Sequence, residues 1–209
     1  KNFLLLGGYP LCHHILSTLS MINEIDIIYV YCSNSEILNY IPTHPKIKFL
    51  QRDVKLDSPK TKGLEIYKEF ARTIDADIYV LAHTTSPFVK RESISKGLAK
   101  VINGDFNSSH SVEIHQTYAW FDNNPINYNL TNIARTQDIE PVMLETSSFY
   151  IFKSVFNSQH ENVDIFNQIC LPMIDQVFEV KNSMYTQPLI QTQFAAAVRD
   201  GKEALFNRI

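Results

Sequence analysis

An apolar run, Ile78-Tyr79-Val80-Leu81-Ala82, leads directly into His83, Thr84, Thr85 and Ser86, followed by Pro87 and Phe88. A buried strand of this composition delivers the polar side chains after it to its carboxyl end. There an imidazole and three hydroxyls can line a crevice, with Pro87 stiffening the exit. A plainer role also fits these residues: Ser86 or Ser93 capping the next helix, and His83 as a core histidine with a backbone partner. A second polar group follows another apolar run, residues 47–51, where Arg52 is succeeded by Asp53 and, later, Asp57. A guanidinium at a strand end suits bidentate contact with a phosphate or, more plainly, a surface salt bridge with either aspartate.

The elements that would position these residues can be read from periodicity. Short runs rich in β-branched and aromatic residues at 25–32, 47–51 and 78–83 read as buried strands. Helical patterns lie between them. Pro10 opens one in which Leu11, Ile15, Leu19 and Ile22 share a face; Leu64, Tyr67, Phe70, Ala71 and Ile74 form a second; Ile94, Gly97, Leu98 and Val101 form a third. Strand and helix alternate, which predicts βαβ crossovers, a mostly parallel sheet and ligands at the carboxyl ends of its strands. Val30, Phe49 and Val80 are expected in the core of that sheet, with residues 83–86 at its exposed edge.

After Gly104 the pattern changes. Residues 108–115 read as a strand, and 118–128 are aromatic and turn-rich, with Asn123-Asn124-Pro125 as the turn signal. Tyr118, Trp120, Phe121 and Tyr128 stand close together in an Asn-rich stretch, either as local core or as a subunit interface, and a homodimer built on residues 104–145 is expected. Strand character returns at 147–153. Helices are expected at 164–176, up to the break at Pro172, and at 193–199 before Gly201.

Composition excludes several classes. With 209 residues, 44% apolar and 20% charged, one globular domain is expected. The net charge of -3, with both signs interspersed, offers no basic stripe to follow a nucleic-acid backbone. No apolar run approaches the ~20 residues that span a bilayer. Cys12, Cys32 and Cys170 are odd in number and have no CxxC spacing, which suits a reducing, cytoplasmic setting. The opening Lys1-Asn2-Phe3 is neither a signal peptide nor an initiator methionine, so the sequence is expected to begin inside a larger protein.

Five segments, in order, resemble the acylneuraminate (CMP-sialic acid synthetase-like) cytidylyltransferase family. They are Lys1-Asn2 with Leu6-Gly7-Gly8-Tyr9-Pro10-Leu11; Gln51-Arg52-Asp53 with Leu56-Asp57-Ser58; residues 77–90; Ile133-Ala134-Arg135-Thr136-Gln137-Asp138-Ile139-Glu140-Pro141; and Glu145-Thr146-Ser147-Ser148-Phe149-Tyr150-Ile151-Phe152. The resemblance implies a Rossmann-like (GT-A-like) α/β nucleotidyltransferase with a mostly parallel sheet and a small dimerisation insertion. It would join CTP to a nonulosonic acid sugar, release pyrophosphate and use Mg2+, in service of cell-surface polysaccharide synthesis. Catalysis would be positioning plus neutralisation of phosphate charge.

On the matching positions, Lys1, Asn2, Arg52, Thr85 and Ser86 would serve the nucleotide. His83, Arg135, Gln137, Thr146, Ser147, Phe149 and Tyr150 would serve the sugar. A guanidinium at Arg135 suits the sugar carboxylate and an amide at Gln137 its hydroxyls, whereas the plain reading of both is a turn before Pro141. Phe149 or Tyr150 would give an apolar wall, unless they are simply core.

The family's arginine-bearing loop before the Lys-Asn pair has no counterpart here, and its late carboxylate motif for magnesium is not found after Phe152. Asp164, Asp175 and Glu179 are carboxylates in the appropriate third of the chain, no more, so the metal ligands and catalytic residues stay unassigned. The tail 184–209 matches nothing in the family. Alternative readings are a catalytically inactive relative acting as a binding or scaffold subunit, and a nucleotidyltransferase for another keto-acid sugar. The chain as given is expected to bind a CMP-sugar without turning over CTP.

Overall fold

Proline and a pair of glycines shape the start of the chain. In the computed structural model, which describes residues 2–104 and 106–154, β1 (Leu5–Leu6) and β2 (Tyr9–Pro10) form an antiparallel hairpin. Its turn residues Gly7 and Gly8 have φ of 59° and 89°, a conformation that glycine adopts without a Cβ penalty. Pro10 then stands at the N-cap of α1 (Leu11–Ser20) and offers no side-chain cap. Backbone carbonyls take its place: the Leu11 N–H donates to Leu4 O at 2.8 Å and the Cys12 N–H to Asn2 O at 3.1 Å. The amino-terminal segment is thereby tied to the first turn of α1.

β3 (Ile28–Cys32) and β4 (Ile47–Gln51) pair in parallel, from Ile28 opposite Ile47 to Cys32 opposite Gln51. The chain continues through α2 (Gly63–Thr73), β5 (Ile78–Ala82), α3 (Arg91–Ile102) and β6 (Ser108–His115). The small hairpin β7 (Trp120–Phe121) and β8 (Asn124–Pro125) follows, and then the long β9 (Val142–Lys153). β9 inserts between β5 and β6 and runs antiparallel to both. β5 and β6 therefore point the same way, joined by α3, as a βαβ crossover requires.

The result is a Rossmann-like mixed α/β architecture, with one correction to the expected strand directions. Among the described residues, hydrogen-bonded parallel pairing is confined to β3 and β4, and the pairing around β9 is antiparallel. The chain returns from the irregular segment 116–141 at the far end of β6, so β9 runs opposite to its neighbours.

The central three strands have two unlike faces, as alternation demands. One packs under α3 and α1, where Ile15, Leu19, Ile22, Ile28, Ile94, Leu98, Val101, Phe149 and Ile151 form the main buried cluster. Contact with α3 is close. A Cβ on Gly97 would lie 2.9 Å from Ile151 Cδ1 and 3.4 Å from Phe149 Cε2, so the glycine sets the helix–sheet distance. The other face carries Tyr79, Leu81, Tyr150 and Phe152 against Phe70 and Ala71 of α2. Val30 and Val80 pack on the main cluster, as expected, while only partly buried, and Phe49 is also partly buried.

Asp122 and Asn123, with φ of 45° and 63°, form the two-residue turn between β7 and β8, one residue ahead of the expected Asn-Asn-Pro signal. Polar side chains organise this segment. Asn127 Nδ2 donates to the carbonyls of Thr117 and Glu140, both at 2.8 Å, and its Oδ1 accepts from the Ala119 N–H at 3.0 Å. Gln116 Nε2 donates to Thr136 O and Ile139 O at 2.7 and 2.8 Å. Among the described residues no helix is long and apolar enough to cross a membrane. Lys1, Cys170, the helices expected at 164–176 and 193–199, and the tail 184–209 lie outside the described residues.

Candidate functional site

The carboxyl end of β5 is held in place from two directions. The His83 N–H donates to Ser148 O of β9 at 3.1 Å, and Thr84 Oγ1 donates to Asn2 Oδ1 at 2.9 Å. Since Asn2 is itself fixed by α1, the amino-terminal segment and the residues after β5 meet at one edge of the sheet. Successive turns then carry the chain to α3, with the Ser86 N–H donating to His83 O at 3.2 Å and the Val89 N–H to Ser86 O at 3.3 Å. Ser86 is buried and Thr85 exposed. The helix-cap role open to Ser86 and Ser93 is not realised: Lys90 occupies the N-cap of α3, where no side chain caps the helix.

A large bulge shapes the neighbouring wall. His110 pairs with Tyr150 and Val112 with Glu145, so residues 146–149 of β9 lie opposite Ser111 alone. The Ser111 hydroxyl repairs this interruption by accepting from the N–H groups of Ser148 (3.1 Å) and Phe149 (3.3 Å) and from Thr146 Oγ1 (2.6 Å). Ser147, at φ 52°, reverses the chain locally. The reversal brings Glu145 and Ser147 to the Tyr150 hydroxyl, which donates to Glu145 Oε1 and lies 3.0 Å from Ser147 Oγ.

Tyr150 lies between two imidazoles. The His110 ring stacks on it with centroids 6.1 Å apart and an interplanar angle of 29°, and the His83 ring meets it edgewise at 6.2 Å. His83 Nε2 and His110 Nδ1 are buried without a hydrogen-bond partner. Burial lowers the pKa of both imidazoles, which favours their neutral forms; the Glu145 charge opposes this at His110. Burial and then the bond to Glu145 push the Tyr150 phenol up to about 12, so it stays protonated as a donor at neutral pH.

The expected site residues thus separate into groups. Asn2 bonds Thr84, the neighbouring His83 meets Tyr150, and Tyr150 meets Ser147, with Ser86 buried in the turn after β5. Thr146 has its hydroxyl engaged with Ser111 in the bulge. Phe149 must be withdrawn from the pocket wall: it is 0% exposed and faces α3, on the opposite side of the sheet from Tyr150. Arg52 stands at the end of β4. Its Nη2 lies 2.7 Å from Asp57 Oδ1, its guanidinium lies 5.9 Å from the Tyr31 ring centroid, and its Nε is buried without a partner. Hydrogen bonds from Ser33 and Arg52 lower the pKa of Asp57. Arg135 and Gln137 lie on an exposed 3-10 turn of the 116–141 segment, where Arg135 Nε pairs with Asp138 Oδ2 at 2.7 Å.

His110 and Ser111 escaped the reading of the sequence. Each sits in Ser108-Ser109-His110-Ser111, a polar tetrad with no apolar signature, yet all four are at most 4% exposed. Consecutive small polar residues in a strand slot were the available signal. Among the described residues no group of three or more His, Cys, Asp or Glu is placed to hold a metal ion. Asp164, Asp175 and Glu179 lie outside the described residues.

A family model described as Cytidylyltransferase matches residues 1–193. The chain is similar to the N-acylneuraminate cytidylyltransferase of Oncorhynchus mykiss, at 24% identity over 162 residues covering 73% of this chain and 37% of that protein. It therefore spans well under half the length of that relative. Its fold is similar to that of CMP:2-keto-3-deoxy-manno-octonic acid synthetase complexed with CTP, with a TM-score of 0.58 and 13% identity over 87% of this chain and 83% of the other. The bifunctional IspDF from Campylobacter jejuni is similar over 90% of this chain and 46% of its own, with a TM-score of 0.58 and 14% identity. The 4-diphosphocytidyl-2C-methyl-D-erythritol synthase from Anaerococcus prevotii is similar over 92% and 88%, with a TM-score of 0.55 and 13% identity.

Proposed function

Because this chain belongs to the cytidylyltransferase family, we propose that it carries the machinery for transferring the cytidylyl group of CTP to a nonulosonic, sialic-acid-like sugar. The products are a CMP-sugar, pyrophosphate and a proton. The observation that carries this reading is the meeting of Asn2, Thr84, His83 and Tyr150 at the carboxyl edge of β5, where an α/β sheet of this kind takes its ligands. The printed name of the Oncorhynchus mykiss relative favours a sialic-acid-like acceptor.

In this proposal Lys1, Asn2, Arg52, Thr85 and Ser86 serve the nucleotide, and His83, Arg135, Gln137, Ser147 and Tyr150 serve the sugar. The anomeric oxygen of the acceptor attacks the α-phosphorus as the bond to the β-phosphate oxygen breaks. Positioned donors and cations stabilise the charge that builds on the phosphates. Magnesium belongs to the proposal as neutraliser of the triphosphate, and no step is assigned to it because the described residues offer it no carboxylate cluster.

His83 and Tyr150, both held in neutral forms beside the Glu145 carboxylate, suit hydroxyl or acylamino groups, which leaves the sugar carboxylate to Arg135. Calorimetry with CMP-N-acetylneuraminate tests this division. Arg135→Ala should weaken binding about tenfold to a hundredfold, the range expected for a lost charge-assisted hydrogen bond. Unchanged binding removes Arg135 from the pocket.

The 116–141 segment supplies the proposed homodimer surface. Trp120 is 53% exposed and Phe121 75%, and Ile126, Leu130 and Ile133 are exposed beside them. Apolar groups gathered on a polar, turn-rich segment favour a covering partner. Sedimentation at micromolar concentration should give twice the chain mass, falling to a single chain mass for Trp120→Ser/Phe121→Ser; a wild-type monomer contradicts the assignment.

A further inference from the structure

The His110 imidazole is 4% exposed, its Nδ1 has no hydrogen-bond partner, and its ring lies against Tyr150 at 29°. A buried polar atom left unpaired costs stability, typically ~1–3 kcal/mol, so the fold alone would be better served by an apolar side chain at this position. What the ring provides is a plane. It sits directly across the β6–β9 ladder from Tyr150, at the last regular pair before the bulge that brings Glu145 and Ser147 to the Tyr150 hydroxyl. On the other side, His83 meets Tyr150 edgewise. The phenol is thus fixed by ring contacts on two sides and by hydrogen bonds with Glu145 and Ser147 at its tip.

We propose that His110 is a positioning residue for the acceptor sugar: its imidazole is the platform that fixes the Tyr150 ring and directs the phenol hydroxyl along the pocket wall. This inference rests on the sugar-binding reading of Tyr150 given above. The titratable and charged groups facing the pair are His83 just after β5, Glu145 from β9, whose charge acts on both rings, and Tyr67 from α2, whose charge would act on Tyr150. None of them contacts the His110 ring by hydrogen bonding or stacking, so removal of the ring acts on Tyr150 first.

His110→Leu and His110→Phe separate the platform from bulk packing. Leucine removes the plane, whereas phenylalanine keeps it and discards the polar atom. Tyrosine 13Cζ titration by NMR reads Tyr150 directly and needs no substrate. In His110→Leu its midpoint should fall below about 12 as the hydroxyl leaves Glu145, while the larger upward effect of burial stays in place, and in His110→Phe it should not move. Binding of N-acetylneuraminic acid should weaken about tenfold in His110→Leu, the worth of one neutral hydrogen bond, and by less than about threefold in His110→Phe. CTP affinity and melting temperature should not fall in either variant.

An unmoved Tyr150 titration in His110→Leu overturns the platform role, as does equal damage by both substitutions. Weakened binding of both CTP and sugar acid, together with a lower melting temperature, makes His110 a structural residue only. If Tyr150 shifts as expected but the wild-type protein binds no sugar acid, the acceptor reading of the pocket fails, and with it the claim that the platform serves a sugar.

Discussion

Phe149→Ala is expected to destabilise the fold by about 3–5 kcal/mol, the range for removing a fully buried aromatic ring. The ring is 0% exposed and lies in the main cluster with Ile94, Leu98, Val101 and Ile151. Relaxation cannot readily fill the hole it leaves. Gly97 already brings α3 as close as Ile151 and Ser109 allow, and β9 is hydrogen-bonded on both edges. A domain of this kind has roughly 5–15 kcal/mol in total, so the variant should be near the edge of folding. Urea denaturation should show a lower midpoint with an unchanged slope, and a smaller loss for Phe149→Leu. A loss below about 1 kcal/mol would show that the ring does not lie in a close-packed core.

The second large effect is expected at Arg52. A guanidinium already oriented by Asp57 and by Tyr31 loses little freedom when it meets a phosphate, and its buried, unpaired Nε marks a donor not satisfied within the protein. Arg52→Ala should therefore lower kcat/KM for CTP by roughly a hundredfold in the full-length protein, a loss comparable to removing one charge-stabilising donor. Asp57→Asn, which leaves the cation in place but loosens it, should cost less. If Arg52 is only a surface ion pair, Arg52→Ala will change stability by no more than about 1 kcal/mol and leave CTP kinetics unchanged.

Much of the framework was legible because hydrophobic periodicity is a burial signal, and the elements up to α3 are built on apolar faces. Leu11, Ile15, Leu19 and Ile22 indicated a helix over the sheet, and α1 packs there. The run ending at Ala82 marked the strand whose carboxyl end meets Asn2. Beyond Gly104 the strands at 108–115 and 147–153 were still legible, but the roles of the polar residues were not, for two physical reasons. Ser108, Ser109, His110 and Ser111 are buried although polar, since Ser111 repairs a bulge and His110 stacks on a ring. The 116–141 segment is held by Asn127 and Gln116 side chains bonding backbone groups, an arrangement without a period.

The length of β9 was also hidden. Its first third, Val142 to Glu145, follows Pro141 in a turn-rich stretch, and its pairing with β6 depends on residues about thirty positions earlier. The roles of Phe149 and Tyr150 needed the sheet itself. Adjacent residues on a strand face opposite sides, so only one of the two could line the pocket, and local sequence does not say which side α3 covers.

The central claim, cytidylyl transfer to a sugar acid, is tested most directly by pyrophosphate release from the full-length protein supplied with CTP, magnesium and either N-acetylneuraminic acid or 2-keto-3-deoxy-manno-octonic acid. The account predicts release that requires both CTP and a sugar acid, with N-acetylneuraminic acid the better acceptor and UTP, ATP and GTP inactive. Release with 2-keto-3-deoxy-manno-octonic acid alone would move the acceptor class, and no CTP-dependent release with any sugar acid would contradict the claim.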